Sequence, residues 1–486
     1  MNHRRQRPVG HLLAVMMLLA TACAGAQHGG DAARSDGQRR CLLLTTNDSE
    51  AELDGRRTSL DMPIAYAGTL ARIASEKARR LAERPGAVLL VSAGDMLQGR
   101  YVAPSDGDRQ RAARAVWQIY ELAGYDLATL GNHDFDGGPA VLRHALEGLK
   151  RWRFVVSNLD PQSPTLDNRA GKLFSEVEVR DCGGLKIGFL GLLTPSTRTI
   201  SKFGDTRFKD ANDPIHPAAR AAVAELRRRG VDAVVALSHL GFPVDQELAR
   251  AVPGIDAIVG GHTHTYRKVW ERIGKTVIVQ AGDRFKNLGH LELVGAAAGG
   301  LDLARSSWRM VPVDDKMSPA PAVVAAIEAL RVDYPAEVVI GKRSVGWALS
   351  GNERPIYGGR VAREMMRLSR QLERPVDGAV LNMGGLRTSR WYPPGPVTNF
   401  EVQAIHPFAN RIVQVELDGK RLREVAEHAC AKSHRGSSGL RVALFGLHIG
   451  CDTNKPAIVY RRVEGATTGV ESPGQRVVEL RLGGVP

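Results

Sequence analysis

From Cys41 to about Leu303, short apolar runs alternate with stretches of helical period, and this alternation restricts the fold more than any other feature of the chain. The runs are CLLLTT, AVLLVSAGD, DLATLGNHD, RFVVSN, LKIGFLGLL, AVVALSHL, DAIVGGH and TVIVQAG. Between the first two, Pro63 is placed to open a helix with Ala67, Leu70, Ala71, Ala74, Ala78 and Leu81 on one face. Ala112, Ala115, Val116, Ile119, Leu122 and Ala123 repeat the pattern before the third run. Strands this apolar need cover on both faces, and the intervening helices supply it, so the segment reads as an α/β domain.

The ends of these strands carry an unusual set of side chains. The first run is followed by Asp48 and Glu50, the second by Asp95, and the third by Asn132, His133 and Asp134. Later runs bring His239, then His262 and His264 in GGHTH. In open α/β sheets, sites form beyond the carboxyl ends of strands. One such residue is ordinarily a turn or a satisfied polar group; five strand ends supplying carboxylates, an amide and imidazoles together point to metal. Oxygen donors mixed with imidazole suit Mn, Zn, Fe or Co, and the set is larger than one ion needs. Two divalent ions sharing a carboxylate would use it fully.

At 486 residues the chain is long enough for two domains. Pro brackets a helical stretch in VPVDDKMSPAPAVVAAIEALRVDYP, which reads as a linker over 311–336. Beyond it, EVVIGKRSVGWAL, VAREMMRLSRQL, GAVLNMGG and the pair RIVQVELDGKRLREVAEHACAKS form a second α/β unit over 337–486. The N-terminus is basic, then apolar for too few residues to span a bilayer, then small. That is the build of a signal peptide over 1–26, followed by a polar tether over 27–40. Ala20-Thr21-Ala22-Cys23 resembles a bacterial lipobox, so two endings stay open, lipidation of Cys23 or cleavage near Ala26. Either makes the protein exported, periplasmic or at the cell surface, with no membrane contact beyond an N-terminal anchor. Net charge is +14, but the arginines are scattered through helices and aromatic residues are only 5%, which argues against nucleic acid and suits a small anionic substrate. An exported chain permits disulfides; Cys430 with Cys451 is a weak candidate pair, and Cys41 and Cys182 have no assigned partner. Oligomeric state is not legible.

TTND, SAGD, GNHDFD, SHLG and GGHTH, in that order and at strand ends, resemble the calcineurin-like metallophosphoesterases. With NMGGLR and HPFANRIV, the resemblance narrows to the 5′-nucleotidase and UDP-sugar hydrolase family. It implies a four-layer catalytic domain over 41–310, a β-sandwich flanked by helices, and a smaller C-terminal α/β substrate domain. It also implies two divalent metal ions bridged by Asp95, one held further by Asp48, Glu50 and His264, the other by Asn132, His239 and His262. His133, oriented by Asp136, would be the catalytic histidine. Asn382 and Arg387 would contact phosphate and ribose, with Phe408 as one wall of a base clamp and Asn410 beside it. The implied activity is hydrolysis of a nucleotide or another small phosphate ester.

The chain departs from that pattern in three places. Glu50 stands where the family has histidine, which adds a negative charge at one ion and favours a harder metal over zinc. An arginine expected just before the helix after IYGG is out of register, with Arg354 nearest. The Gly-Gly-Asp-Gly turn and second clamp wall expected beyond VVELRLGGVP do not occur. Two other readings therefore stand beside the first: a thiosulfohydrolase-like enzyme for another anionic ester, and a catalytically impaired surface-binding lipoprotein.

Overall fold

The computed structural model of the chain describes residues 39–53, 69–97, 109–297, 299–332, 338–348, 353–372, 374–386, 391–406, 411–431, 442–463 and 466–482. The leader and nearly all of the tether lie outside these. Among the described residues no helix is long and apolar enough to cross a membrane.

The elements follow in the order β1 (Arg40–Thr46), α1 (Leu70–Glu83), β2 (Val88–Ser92), α2 (Arg109–Leu122), β3 (Leu127–Ala128), α3 (Pro139–Leu146), β4 (Arg153–Phe154), β5 (Val177–Cys182) and β6 (Leu185–Leu193). Next come α4 (His216–Arg228), β7 (Ala233–His239), α5 (Phe242–Ala251), β8 (Ala257–Gly260), β9 (Glu271–Ile273), β10 (Thr276–Val279), β11 (Asn287–Val294), β12 (Ser307–Pro312) and α6 (Pro321–Val332). They build two six-stranded sheets, ordered β12-β11-β1-β2-β3-β4 and β5-β6-β7-β8-β10-β9. In the first, β1 to β4 run parallel, with β11 and β12 added by antiparallel pairing on one side; in the second, a parallel centre has an antiparallel strand at each edge.

Leu43, Val91 and Leu127 of the first sheet and Phe189, Val235, Val259 and Val279 of the second share one buried cluster, the filling between the sheets. On the outer face of the first sheet, Leu42, Leu44 and Leu90 meet Ile73, Val116, Trp117 and Leu142. Leu190, Ala236 and Ile258 meet Val223, Leu226 and Leu248 on the second. The result is a helix–sheet–sheet–helix stack, as the resemblance implied. Each fully buried Leu or Val contributes roughly 1.5–3 kcal/mol relative to exposure. A disulfide between Cys41 and Cys182 ties β1 of one sheet to edge strand β5 of the other.

Several expectations are corrected. The first helix begins at Leu70, where Thr69 caps it by accepting from the Arg72 N–H; Pro63, expected to open it, and Ala67, expected on its face, lie outside the described residues. Leu81 at its far end is exposed, while Glu76 and Lys77 are buried. Charge pairing makes that possible: Glu76 accepts from Arg79 and Arg80, and Lys77 donates to Val88 O and pairs with Asp126. β5, β9, β11 and β12 were not among the apolar runs because polar residues interrupt them; in β11, buried Asn287 and His290 break the pattern. The helix α6, within the stretch read as a linker, packs Val323, Ile327 and Leu330 into the outer core of the first sheet.

Beyond the linker, the 19-residue helix Glu353–Gln371 lies among two-stranded ladders, including Ala379–Asn382 against Val442–Phe445 and Leu447–Cys451 against Val477–Leu482. The helix Gly419–Cys430 is N-capped by Asp418 and tied to Cys451 by a second disulfide from Cys430. The preceding RIVQVEL run forms no strand: Ile412, Val413 and Val415 are exposed, and no described strand pairs with them.

Candidate metal centre

At the carboxyl ends of β1, β2 and β8 the backbone turns out of the sheet through left-handed conformations that non-glycine residues avoid. Asp48, Glu50, Asp95, His262 and His264 all have φ between 48° and 71°. Each costs on the order of 1 kcal/mol or more, and persists because the surroundings over-determine it. The Asp48 carboxylate accepts from the His262 N–H at 3.0 Å and from Asn47 Nδ2 at 2.6 Å, and Asn47 Oδ1 in turn accepts from the Ala281 N–H. Asp95 Oδ1 accepts from the His133 N–H at 2.7 Å. Asp134 accepts from the backbone N–H groups of Met96, Leu97 and Gly131, so it staples two loops and is not a donor to the site. Gly131 lets those loops meet, because a Cβ there would lie 2.2 Å from Asp95 Oδ1.

Ligand-type atoms of Asp95, His239 and His262 lie within 4.8 Å of one another. His239 Nδ1 donates to Ala93 O at 2.7 Å, and a carbonyl only accepts, so that nitrogen carries hydrogen and Nε2 is turned to Asp95 Oδ2 at 3.1 Å. Asn132, whose neighbour His133 donates its N–H to Asp95, has its Oδ1 buried with no hydrogen-bond partner among the described residues. A second grouping adjoins: His264 Nε2 is 3.3 Å from Asp48 Oδ1 and 3.8 Å from Glu50 Oε1. His133 Nδ1 and Asp136 Oδ2 are 2.8 Å apart, three residues apart in sequence across a single 3₁₀ turn.

The buried carboxylates and imidazoles of the cluster shift one another's titration. Burial pulls the His239 imidazole down, but the Asp95 charge outweighs it and pushes the ring up to about 10. His264 follows the same logic through Asp48, up to about 9. Burial and the His239 charge drive His262 down to about 4. Burial works against ionised Asp95 as well, yet His239 and His133 hold its carboxyl well below the usual carboxylate range. Cationic imidazoles thus balance the carboxylates, a role a divalent cation would take over with release of protons. The uncommitted Asn132 oxygen, the carboxylates and the oriented His239 fit such an ion.

Of the residues singled out from sequence, Asp48, Asp95, Asn132, His133, Asp136, His239, His262 and His264 come together here. Glu50 is present too, but its expected extra charge is not left to the ion. Arg284 Nε and Nη2 donate to Glu50 Oε2 at 2.8 and 2.6 Å, and both side chains are buried. Asp283 lies beside them, its Oδ2 3.7 Å from His264 Nδ1. The sequence reading missed Asp283 and Arg284, although they directly follow TVIVQAG and the strand-end rule applied to β10 reaches them. Asn382 is exposed, and its Oδ1 caps a 3₁₀ turn by accepting from the Gly384 N–H. Arg387, Phe408 and Asn410 lie outside the described residues.

Comparison with known proteins agrees with this architecture. Residues 66–266 match the family model for calcineurin-like phosphoesterases, and residues 359–486 match that for the 5′-nucleotidase C-terminal domain. The trifunctional nucleotide phosphoesterase YfkN of Bacillus subtilis is 24% identical over 92% of this chain, which spans only 30% of that relative's length. The 5′-nucleotidase of Bos taurus is 26% identical over 90% of this chain and 77% of its own. The crystal structure of a 5′-nucleotidase precursor from Thermus thermophilus superposes with a TM-score of 0.74 at 27% identity, covering 91% of this chain and 85% of that one. With both parts matched in order and the fold reproduced, the chain belongs to the calcineurin-like phosphoesterases that carry a 5′-nucleotidase C-terminal domain, a family of phosphoester hydrolases.

Proposed function

We propose that this protein hydrolyses nucleotides outside the cytoplasm, using two divalent ions. The observation that carries the proposal is the convergence of Asp95, His239 and His262 within 4.8 Å of one another, with Asp48 and His264 adjoining. Asp95 would be shared, with Asn132, His239 and His262 on one ion and Asp48, Glu50 and His264 on the other. Such ions, when bound, supply an acidified water and neutralise charge on the phosphoryl oxygens.

The chain's own groups do the rest. Asp136 accepts from His133 Nδ1–H, which holds the ring's orientation. In the protonated ring, Nε2–H would be the donor offered to the leaving oxygen or the phosphoryl group. Stabilising developing charge this way is worth on the order of 10²–10³ in turnover. The backbone N–H of His133 holds Asp95 at the same time, so the proton donor and the shared carboxylate keep a fixed relation.

Nucleotide as substrate draws support from the named activities of the relatives and from the C-terminal match over 359–486, where Asn382, Arg387, Phe408 and Asn410 are the proposed contacts. The division into a catalytic domain over 41–310, a linker and a substrate domain from 337 onward belongs to the same reading. Export is supported by the leader-like N-terminus and by two disulfides.

The test is metal analysis of the purified chain together with phosphate release from 5′-mononucleotides, nucleotide sugars and an aryl phosphate. Bound divalent metal with release from nucleotides is expected. Metal without release from any phosphate ester would move the substrate to another anion, such as a thiosulfate ester. Neither metal nor release would leave a binding protein.

A further inference from the structure

Arg284, like Asp283 beside it, is a side chain that the family pattern did not lead to. It follows β10 in AGDRF, at a φ of 49°, and its N–H donates to Asp48 O at 2.9 Å. Its guanidinium makes two bonds to Glu50 Oε2 and lies 3.7 Å from both Glu52 Oε1 and Asp283 Oδ2. Lys286 pairs with the other oxygen of Asp283 at 2.9 Å, so Asp283 has a cation of its own and Arg284 is left to Glu50 and the more distant Glu52.

We propose that Arg284 is a resident counter-cation for Glu50, so that the ion position formed by Asp48, Glu50 and His264 takes metal more weakly than the one formed by Asp95, His239 and His262. This inference rests on the dimetal reading above. Three observations support it. The second position alone gathers three ligand-type atoms within 4.8 Å of one another among the described residues. At the first, His264 Nε2 reaches Asp48 Oδ1 at 3.3 Å but Glu50 Oε1 only at 3.8 Å. The Arg284 and Glu50 side chains are 7% and 4% exposed, so water screens the guanidinium little. A guanidinium does not shed its proton in a protein, so an ion entering beside Glu50 meets a permanent positive charge. An imidazole in place of Glu50 would bring no such counter-charge with it.

The two positions should therefore fill in sequence. The experiment titrates the metal-stripped full chain with Mn²⁺, reading free Mn²⁺ by electron paramagnetic resonance and foldedness by thermal melting. The native chain should show two classes of site at least tenfold apart in affinity. Arg284→Met should strengthen the weak class at least tenfold and leave the tight class unmoved, whereas Arg284→Lys, which keeps the charge, should retain the gap. Arg284→Met leaves Glu50 buried without its guanidinium. Should that variant not fold, the double substitution Glu50→His with Arg284→Met decides, since it removes both charges together and should bring the two classes within about threefold. Two equal classes in the native chain, or a weak class unaltered in the folded variants, would overturn the assignment of Arg284 while leaving the dimetal reading intact. No Mn²⁺ bound by any of these proteins would remove that reading and this inference with it.

Discussion

Asp95 and His133 adjoin, yet their geometry gives them different work, and single substitutions should separate the two. Asp95 stands within ligand distance of His239 and His262, so Asp95→Asn should reduce metal content and abolish most hydrolysis. His133 holds Asp95 through its backbone N–H, which alanine keeps, and its ring pairs with Asp136, so His133→Ala should keep the metal and lower turnover by ~10²–10⁴. Equal metal loss in both variants, measured by plasma emission, would sink this division. Asp245 offers a pH test remote from substrate. Burial pushes its carboxyl up to about 8, with only Ser238 Oγ–H and the His239 charge opposing. The first turn of α5 favours the anion by ~0.3–1 kcal/mol, too little to reverse this. Between about pH 4 and pH 8 the native state therefore holds a proton that the unfolded chain has released, and stability falls as pH rises through that window. Asp245→Asn should gain on the parent across it, by a few kcal/mol at pH 8 and almost nothing at pH 4, in urea melts of metal-free protein. These residues differ in how far the sequence discloses them. Metal-type side chains at strand ends are conspicuous because little else places imidazoles there. Arg284 was not, since an arginine in a turn looks like solvated surface, and only the fold reveals its burial against Glu50.

The strands deliver the site by ending together, and the loops that leave them approach closely enough to exclude a methyl group. Gly131→Ala would put a carbon 2.2 Å from Asp95 Oδ1 and 2.4 Å from Asp95 N, so the β2 and β3 loops must part. That variant should lose ~1–3 kcal/mol of stability and, more tellingly, metal affinity. Gly230→Ala is the control: its φ of 69° strains an alanine by about 1 kcal/mol, but nothing lies within 4 Å, so stability should drop with metal binding unchanged. If both variants bind metal like the parent, the close loop contact does not shape the site. At this scale the sequence shows the parallel strands well, because an uninterrupted apolar run has few other uses. It shows the antiparallel strands poorly. β12 is half exposed, and β11 buries His290 and Asn287 at positions that read as solvent-facing. α1 misleads in the opposite sense, with Ala78 and Leu81 on its apparent apolar face but exposed at its end, and charged Glu76 and Lys77 buried by pairing.

For the whole molecule, the two disulfides constrain very different lengths of chain. Cys41–Cys182 spans 141 residues and joins the two sheets of the sandwich, whereas Cys430–Cys451 spans 21 within the C-terminal part. The long-range pair was invisible in the sequence because nothing local relates the two cysteines; sheet stacking alone brings β1 against β5. If each bond acts mainly by restricting the unfolded chain, the longer loop contributes ~5 kcal/mol and the shorter ~3.4 kcal/mol. Cys41→Ala with Cys182→Ala should therefore lower the melting temperature of the sandwich more than Cys430→Ala with Cys451→Ala does. Metal content should fall little in either, since neither pair touches a ligand. Protein secreted into an oxidising compartment should show no free thiol from these four cysteines under denaturing alkylation, and four after reduction. Thiols titrating freely before reduction would contradict both the paired sheets and export to an oxidising space. A larger loss of stability from the shorter loop would show instead that native packing around the bonds, and not the unfolded chain, sets their contribution.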